Sequence, residues 1–588
     1  MTTPQESRTR WIGVSVIVLA ALAAIGPMLA RGASCGHDFD FHLVSWFDAL
    51  ASWRQGLVYP HWAPSANYGA GEPRFVFYPP VEWMLGAALG ALLPWQLVPA
   101  ALTFVCLTGA GMATRTLARQ MLPEGAATLA GCTALLSGYS LFTAYERSDF
   151  AELTGGFWIA LLLLFALRDR APDDGVWRRA LDGSTAPLAL VLAGAWLSNA
   201  PLGVMASYLL AAVALVSAAA RWTWAPVVRA AAATALGLGL AAVYLIPAAV
   251  EQRWADMRQI LDDPASQIEA SWMFARHSNQ ALAIHDQVLN SASLIGAGML
   301  AVAFVGLLVC WRRGRLRVQR GWWLPLAVIP VVVLLLQFPF SGWVWNALPK
   351  LRYLQFPWRW LVTLEAPMGV MLAGAAWTDR KRLRTLVAVT CAVALAVSIV
   401  AEERAFFQTC DDEDAVAAMV ATYRAGGGFG GTDEYEPPYA DRSMVPTNLP
   451  GSCLTHSATA QLGVANGYGI YDWAAQQHSC DATFEAAEGT TAEHVRIDAN
   501  APHAGYLVLK LRSYPAWAVR VNGQLQNHLA EREDGLIAVP VGQGKSHITA
   551  DWTTTKDAWA GRGLSSLALA LLTGLCALER RWKRTRLS

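Results

Sequence analysis

Pro79-Pro80-Val81-Glu82-Trp83-Met84-Leu85-Gly86-Ala87-Ala88-Leu89-Gly90-Ala91-Leu92-Leu93-Pro94 is an apolar stretch bracketed by prolines. Whether its run Val81–Leu93 crosses a membrane decides the placement of everything that follows. The run falls short of the roughly 20 apolar residues that a spanning helix needs. Orientation is set by Lys and Arg in short loops, which stay cytoplasmic. The basic clusters are Arg115/Arg119, Arg168 to Arg179, Arg221/Arg229, Arg312 to Arg320, Arg380 to Arg384 and Arg580 to Arg586. If Val81–Leu93 crossed, the Arg115 loop would face out and every later cluster would be reversed. If it lies flat on the outer surface, every cluster faces in. The stretch therefore reads as a juxtamembrane helix.

Working outward, apolar windows near 11–29, 97–114, 126–143, 153–167, 186–199, 201–220, 227–249, 291–311, 322–338, 359–377, 384–401 and 562–578 are candidate spans. The first follows Arg8 and Arg10 and reads as an uncleaved helix. The expected fold is mainly α, a polytopic transmembrane helical bundle of about twelve spans with both termini cytoplasmic. Composition agrees. The chain is 54% hydrophobic and 15% charged, with a mean hydropathy of +0.32. A soluble domain is nearer 45–50% apolar and about 25% charged. The net charge of +1 and the absence of a basic stripe beyond the membrane flanks exclude a nucleic-acid partner.

This topology leaves outer loops at 31–96, 144–152, 250–290 and 338–360 within a membrane module spanning 1–401. Residues 402–560 have a soluble texture: acidic and Gly-rich first, then alternating in strand fashion over His494–Asp498, Tyr506–Arg512, Trp517–Val521, Leu536–Val541 and His547–Trp552. Asn522-Gly523 is a tight-turn signal. An extracytoplasmic β-sandwich-like domain is expected there, tethered by a helix at each end. Residues 561–588 then form a last span and a basic tail. Cys35, Cys410, Cys453 and Cys480 fall on the outer side, where a disulfide can persist. Their pairing is open, and their spacing is not that of a zinc site.

The polar chemistry sits on the same face. Asp38, Asp40 and His42 follow the first helix within a few residues, and Asp38 and His42 share a helical face. Such carboxylates serve as a general base or hold a divalent cation; a capped, solvated helix start is the plainer alternative. In the second loop, Arg147, Asp149 and Glu152 place acids at the mouth of a span, where an acid is costly unless paired or functional. The fourth loop ends Arg352-Tyr353-Leu354-Gln355-Phe356-Pro357-Trp358-Arg359, in which arginine suits bidentate phosphate binding or snorkels among interfacial Trp. Tyr59-Pro60-His61-Trp62 and Phe77-Tyr78-Pro79-Pro80 make a stiff aromatic platform suited to a sugar or to anchoring. There is no Walker loop, dinucleotide fingerprint or His-Glu-x-x-His. A reaction on the outer face must then use a substrate independent of cytosolic ATP and nucleotide sugars, a condition that a lipid-linked, already activated donor meets.

Gly36-x-Asp38 with His42, Leu57-x-Tyr59-Pro60-x-Trp62, Phe77-Tyr78-Pro79-Pro80, Arg147 with Ala151-Glu152, and Gln355-Phe356-Pro357-Trp358-Arg359 resemble bacterial membrane proteins known as 6-pyruvoyl-tetrahydropterin synthase-related. They also resemble the GT-C superfamily of polytopic glycosyltransferases, over roughly residues 10–400. The pterin label does not carry over as chemistry. The resemblance implies a bacterial cytoplasmic (inner) membrane glycosyltransferase. It would move sugar from a polyprenyl-phosphate donor to an extracytoplasmic acceptor: a glycan, lipid or protein. It implies catalytic roles for Asp38, then Asp40, and for Asp149 or Glu152. Substrate would be bound by His42, His61, Tyr78, Arg147, Arg352, Gln355, Trp358 and Arg359. Asp38, Asp40 and Glu152 are the candidate ligands for a magnesium or manganese ion. A flippase for lipid-linked glycans would instead need acids and helix breaks deep in several spans. A non-catalytic envelope-assembly protein would need no acidic site in the first loop.

Overall fold

The computed structural model describes residues 4–168, 184–378, 380–467, 469–473 and 480–585. Most of the basic loop after Arg168 lies outside the described residues, as do the side chains of the C-terminal basic tail. Eight helices among the described residues are long and apolar enough to cross a membrane. Two bent pairs, Ala225–Leu240 with Ala242–Trp254 at 71° and Arg320–Leu336 with Pro339–Ala347 at 102°, raise that to ten.

By length and composition this gives eight to ten candidate spans beside the about twelve expected, and every expected segment is helical. The window at 186–199 becomes Thr185–Ser198, only 14 residues long. Asn199 ends it by turning extended and accepting the Leu202 N–H at 2.9 Å, which caps the next helix. The window at 359–377 opens as a 3-10 segment, Pro357–Leu364, before the 12-residue helix Glu365–Ala376.

Val81–Leu93 forms a helix over Pro80–Leu92, 13 residues. At about 1.5 Å per residue it is about 20 Å long, against about 30 Å of hydrocarbon. It starts on Pro80, whose missing N–H costs nothing at a helix start. Its inner face packs on helix Phe39–Arg54. A Cβ at Gly86 would fall 2.2 Å from the Trp46 indole nitrogen, so glycine is what lets the two helices close. The same indole donates to Glu82 at 2.7 Å.

The β region is a two-sheet sandwich, with a separate short ribbon of β2 (Val464–Ala465) and β3 (Tyr471–Asp472) beside it in sequence. One sheet has the order β4 (Ala482–Phe484), β1 (Ser452–Thr455), β6 (Gly505–Arg512), β9 (Leu536–Val541). The other runs β5 (His494–Ala501), β10 (Gly544–Trp552), β7 (Trp517–Val521), β8 (Gln524–Leu525). All five expected strand stretches are present. Asn522 and Gly523 both take positive φ (49° and 80°) in the two-residue link between β7 and β8, as a type I′ turn requires. Inward-facing Ile497, Leu507, Leu509, Val519, Ile537, Val539 and Ile548 fill the space between the sheets.

The sandwich is more than a tethered appendage. Trp62 and Phe77 of the first loop share its buried core. Trp62 meets Trp517 edge-on at 5.2 Å, and Tyr514 donates to Glu251 at 2.5 Å. Cys35 pairs with Cys410, and Cys453 with Cys480.

If Pro80–Leu92 does not cross the bilayer, its two flanks lie on one side. Single cysteines at the exposed positions Arg54 and Gln96 (Arg54→Cys, Gln96→Cys) should then react with an impermeant maleimide added to the same side of sealed vesicles. Labelling from opposite sides would reverse the topology.

Candidate active site

Two loops far apart in sequence are stitched edge to edge. Asp38 N–H donates to the Arg147 carbonyl at 2.9 Å and His37 N–H to the Glu146 carbonyl at 3.3 Å. Gly36 N–H donates to the Ser148 hydroxyl at 3.1 Å, and that hydroxyl donates to the Ser34 carbonyl at 2.7 Å. A Cβ at Gly36 would sit 2.3 Å from the Glu146 carbonyl oxygen, so this approach needs glycine. On the facing strand a π-helical turn, Thr143–Arg147, ends at Ser148 in the left-handed region (φ 51°). Irregular turns of this kind re-aim side chains and are common at functional sites.

That turn delivers Arg147 into a nest of acids. Its guanidinium donates to Glu152 at 2.5 Å and Asp149 at 2.8 Å and reaches Asp38 at 3.3 Å. Asp149 also caps its own helix by accepting the Glu152 N–H at 2.9 Å. The Glu152 oxygen held by Arg147 lies 3.3 Å from Arg359 Nε, and the Tyr139 hydroxyl donates to the other. His42 stands between Glu82 at 3.1 Å and Asp149 at 3.8 Å. Burial opposes its protonation, but the two carboxylates outweigh it and push its pKa up to about 10. Burial likewise opposes the Asp149 carboxylate, yet Arg147, His42 and Arg359 hold its pKa well below the usual range.

In front of this nest lies a cavity of about 640 Å³. Asp38, His42, Tyr78, Asp149, Gln355 and Arg359 line it, so the two acidic loops and the Phe-Pro-Trp-Arg segment do converge. Arg147 and Glu152 stand directly behind. The carboxylates are sorted by occupancy. Glu152 is 1% exposed with both oxygens held, and Asp149 is a committed anion, whereas Asp38 is 41% exposed and shares one oxygen with Arg147. Within the nest, Asp38 is the carboxylate left most open to the cavity.

Gln355 is the centre of a γ-turn: φ is 63°, ψ is −47°, and Phe356 N–H donates to the Leu354 carbonyl at 2.6 Å. This is a strained conformation for a side-chain-bearing residue, and it sets the cavity wall beside Arg359.

Other expected residues lie elsewhere. Asp40 is exposed and does not line the cavity. His61 pairs with Glu493 at 3.0 Å and stacks on Trp552, so its platform is an interface with the sandwich. Arg352 pairs with Glu269 at 2.7 Å on the surface. Trp358 is buried and stacks on Phe356 and His285. The trio Asp38, Asp40 and Glu152 does not fit a shared metal ion: Asp40 faces solvent, and Glu152 is already filled by Tyr139, Arg147 and Arg359.

Several lining residues escaped sequence reasoning: Lys350, Tyr353, Asn199, Thr432, Glu434 and Tyr435. The signal for the last three was the Gly426–Gly431 run just before them. A Cβ at Gly428 would strike the Tyr68 backbone at 2.2 Å, and one at Gly431 would strike Asn67 at 2.0 Å. The run lets this segment lie against the first loop, where Thr432 donates to Glu72 at 3.0 Å. Burial, with Glu72 and Asp38 nearby and Arg74 opposing, pushes the Glu434 carboxyl up to about 7.

No family model and no characterised protein sequence matches the chain. Among solved structures it is similar to the apo oligosaccharyltransferase of Archaeoglobus fulgidus, with a TM-score of 0.43 at 12% identity, covering 73% of this chain and 61% of that one. The arabinofuranosyltransferase AftD from Mycobacteria gives 0.37 at 17% identity, with 68% and 27% covered. ArnT from Cupriavidus metallidurans bound to undecaprenyl phosphate gives 0.30 at 16%, with 62% and 78% covered. The chain thus spans under two thirds of the oligosaccharyltransferase's length. At these TM-scores the likeness carries no inference about activity, which has to come from the cavity's own residues.

Two charge assignments can be checked by unfolding in detergent. His42→Ala leaves Glu82 and Asp149 without their shared cation and should cost about 3–5 kcal/mol. Because the His42 pKa is raised, that stabilisation should be complete below about 6.5 and fade as pH climbs through about 10. Glu434 has the opposite consequence: its raised pKa means the folded state is penalised on ionisation. Wild type should lose stability as pH rises from about 4.5 through about 7, and Glu434→Gln should flatten that slope. Parallel pH profiles would refute the Glu434 assignment.

Proposed function

We propose that the protein is a membrane glycosyltransferase that moves a sugar from a polyprenyl-phosphate donor to an acceptor hydroxyl on the extracytoplasmic side of a bacterial cytoplasmic membrane. The observation that carries this reading is the cavity itself: an available carboxylate, Asp38, and two cations, Arg359 and Lys350, line one chamber walled by Tyr78, Tyr244 and Tyr435. A general base and an anion-binding group in one enclosure are what a displacement at a glycosyl phosphate needs. Aromatic faces supply stacking surface for a sugar ring.

In the proposed reaction Asp38 takes the proton of the acceptor hydroxyl. The acceptor oxygen bonds to the anomeric carbon as the bond from that carbon to the lipid phosphate oxygen breaks. Arg359 and Lys350 stabilise the charge that grows on the departing phosphate. Arg147 and Glu152 act from behind, Arg147 fixing Asp38 and Glu152 fixing Arg359. His42, kept cationic, holds Asp149 as an anion and so keeps Arg147 in place. No metal-dependent step is needed. A second reading of the base rests on Glu434, whose pKa near 7 suits proton transfer at neutral pH.

The extracytoplasmic side is favoured by the basic loops, which would face the cytoplasm, and by the two disulfides, which suit an oxidising compartment. A flippase would call for helix breaks and polar groups along the depth of several helices, whereas Asp38, Asp149, Arg359 and Lys350 meet in one chamber.

Purified protein with a lipid-linked sugar donor tests the assignment. Asp38→Asn should lower turnover by about 10²–10⁴-fold with unfolding unchanged. Arg359→Ala should lower it about 10²-fold or more. Full turnover by Asp38→Asn with loss in Glu434→Gln would transfer the role of base to Glu434. Full turnover by both variants would remove the glycosyltransferase reading.

A further inference from the structure

Far from the cavity in sequence and chemistry, three ligand-type side chains meet on the sandwich. His456 follows β1, Asp481 precedes β4, and His503 sits in the turn between β5 and β6. Among the described residues these are the only three His, Cys, Asp or Glu side chains whose ligand atoms all lie within 4.8 Å of one another. The Nε2 atoms of His456 and His503 lie 3.5 and 3.4 Å from the same Asp481 oxygen. The two imidazoles stack at 4.5 Å, 16° from parallel.

The spacing is informative. A direct N–H···O bond would be about 2.7–3.2 Å. Two ligand atoms of a tetrahedral zinc ion with bonds of about 2.0–2.1 Å stand about 3.4 Å apart. The tautomer points the same way. His503 Nδ1 is 3.0 Å from the Ala504 carbonyl. A carbonyl can only accept, so Nδ1 donates there, and in the tautomer whose single proton sits on Nδ1 the ring presents an Nε2 lone pair to the carboxylate. Lone pair facing carboxylate is repulsive unless a cation lies between them. Protonating both rings would set two imidazolium ions face to face. One divalent ion satisfies both rings and the carboxylate together. A ligand histidine whose other N–H is held by a backbone carbonyl is the usual arrangement at metal sites.

We infer that His456, Asp481 and His503 form a binding site for a divalent transition-metal ion of the zinc class, with its remaining coordination open to solvent. Two imidazoles and one carboxylate make a donor set that suits zinc better than magnesium or calcium, which prefer all-oxygen shells. The ion would join the ends of three segments next to the Cys453–Cys480 bridge. Cysteine spacing gave no hint of it, because both nearby cysteines are spent on each other.

The test uses the full chain in detergent, stripped with a chelator and titrated with zinc chloride by calorimetry, with thermal unfolding in parallel. One equivalent should bind saturably and raise Tm. His456→Ala, His503→Ala and Asp481→Asn should each weaken binding about tenfold or more. His547→Ala, which removes a separate surface His–Asp pair, should leave binding unchanged. All three ligand side chains are partly or fully exposed, so their variants should fold, and retained Cys453–Cys480 bridging by mass spectrometry checks this. Absence of saturable zinc binding would overturn the site, as would affinity unaltered in His456→Ala and His503→Ala. Preference for magnesium or calcium over zinc would overturn the ion class.

Discussion

The buried guanidinium of Arg147 is the constraint on which the rest of the site depends. Removing an ion from water costs several kcal/mol unless it is well paired. Arg147 meets that demand only because the residue 34–38 segment, the 145–149 turn and Glu152 all arrive at one point. Counted together, three cations (Arg147, Arg359 and protonated His42) face four carboxylates (Asp38, Glu82, Asp149 and Glu152). The cluster is one negative charge in excess, and the excess is tolerable where water reaches it, at the 41%-exposed Asp38. Within this cluster the excess charge thus falls to Asp38, at the cavity wall.

The sandwich contributes to the same chamber. Its approach to the first loop rests on Trp62 against Trp517 and on glycines that allow backbone to meet backbone near Asn67 and Tyr68. Through that contact Thr432, Glu434 and Tyr435 reach the cavity from the segment leading into the strands. Helical module and sandwich therefore share packed contacts and one cavity wall.

Much of this was legible in the sequence. Apolar windows located every spanning segment, period-two alternation located the long strands, and Asn522-Gly523 located a hairpin. Proline-bracketed Val81–Leu93 was legible as a short helix, 13 residues over Pro80–Leu92, because the prolines mark both its ends. That the loops of Asp38, Asp149 and Arg359 share one face was legible from the basic clusters, and the three side chains do line one cavity. What stayed hidden was which charge is spent on which. Glu152 and Asp38 look alike in sequence; only tertiary contacts reveal that Glu152 is occupied on both oxygens. His61 read as a sugar platform because an aromatic cluster looks the same whether it faces a ligand or another domain. Asn199 looked like the end of a long apolar run, whereas its side chain starts a new helix.

The Cys35–Cys410 bridge joins residues 375 apart, three positions before Asp38. During synthesis Cys35 emerges long before its partner exists. Five other cysteines lie in the chain between and beyond them, in helices. The first loop must therefore wait, unlocked, while most of the membrane module is made. Long-range closure of this kind is slow compared with local helix formation. The acidic loop consequently gains its covalent tie late, and a ribosome product that stops short of residue 410 holds that loop only through its hydrogen bonds to the 146–148 turn.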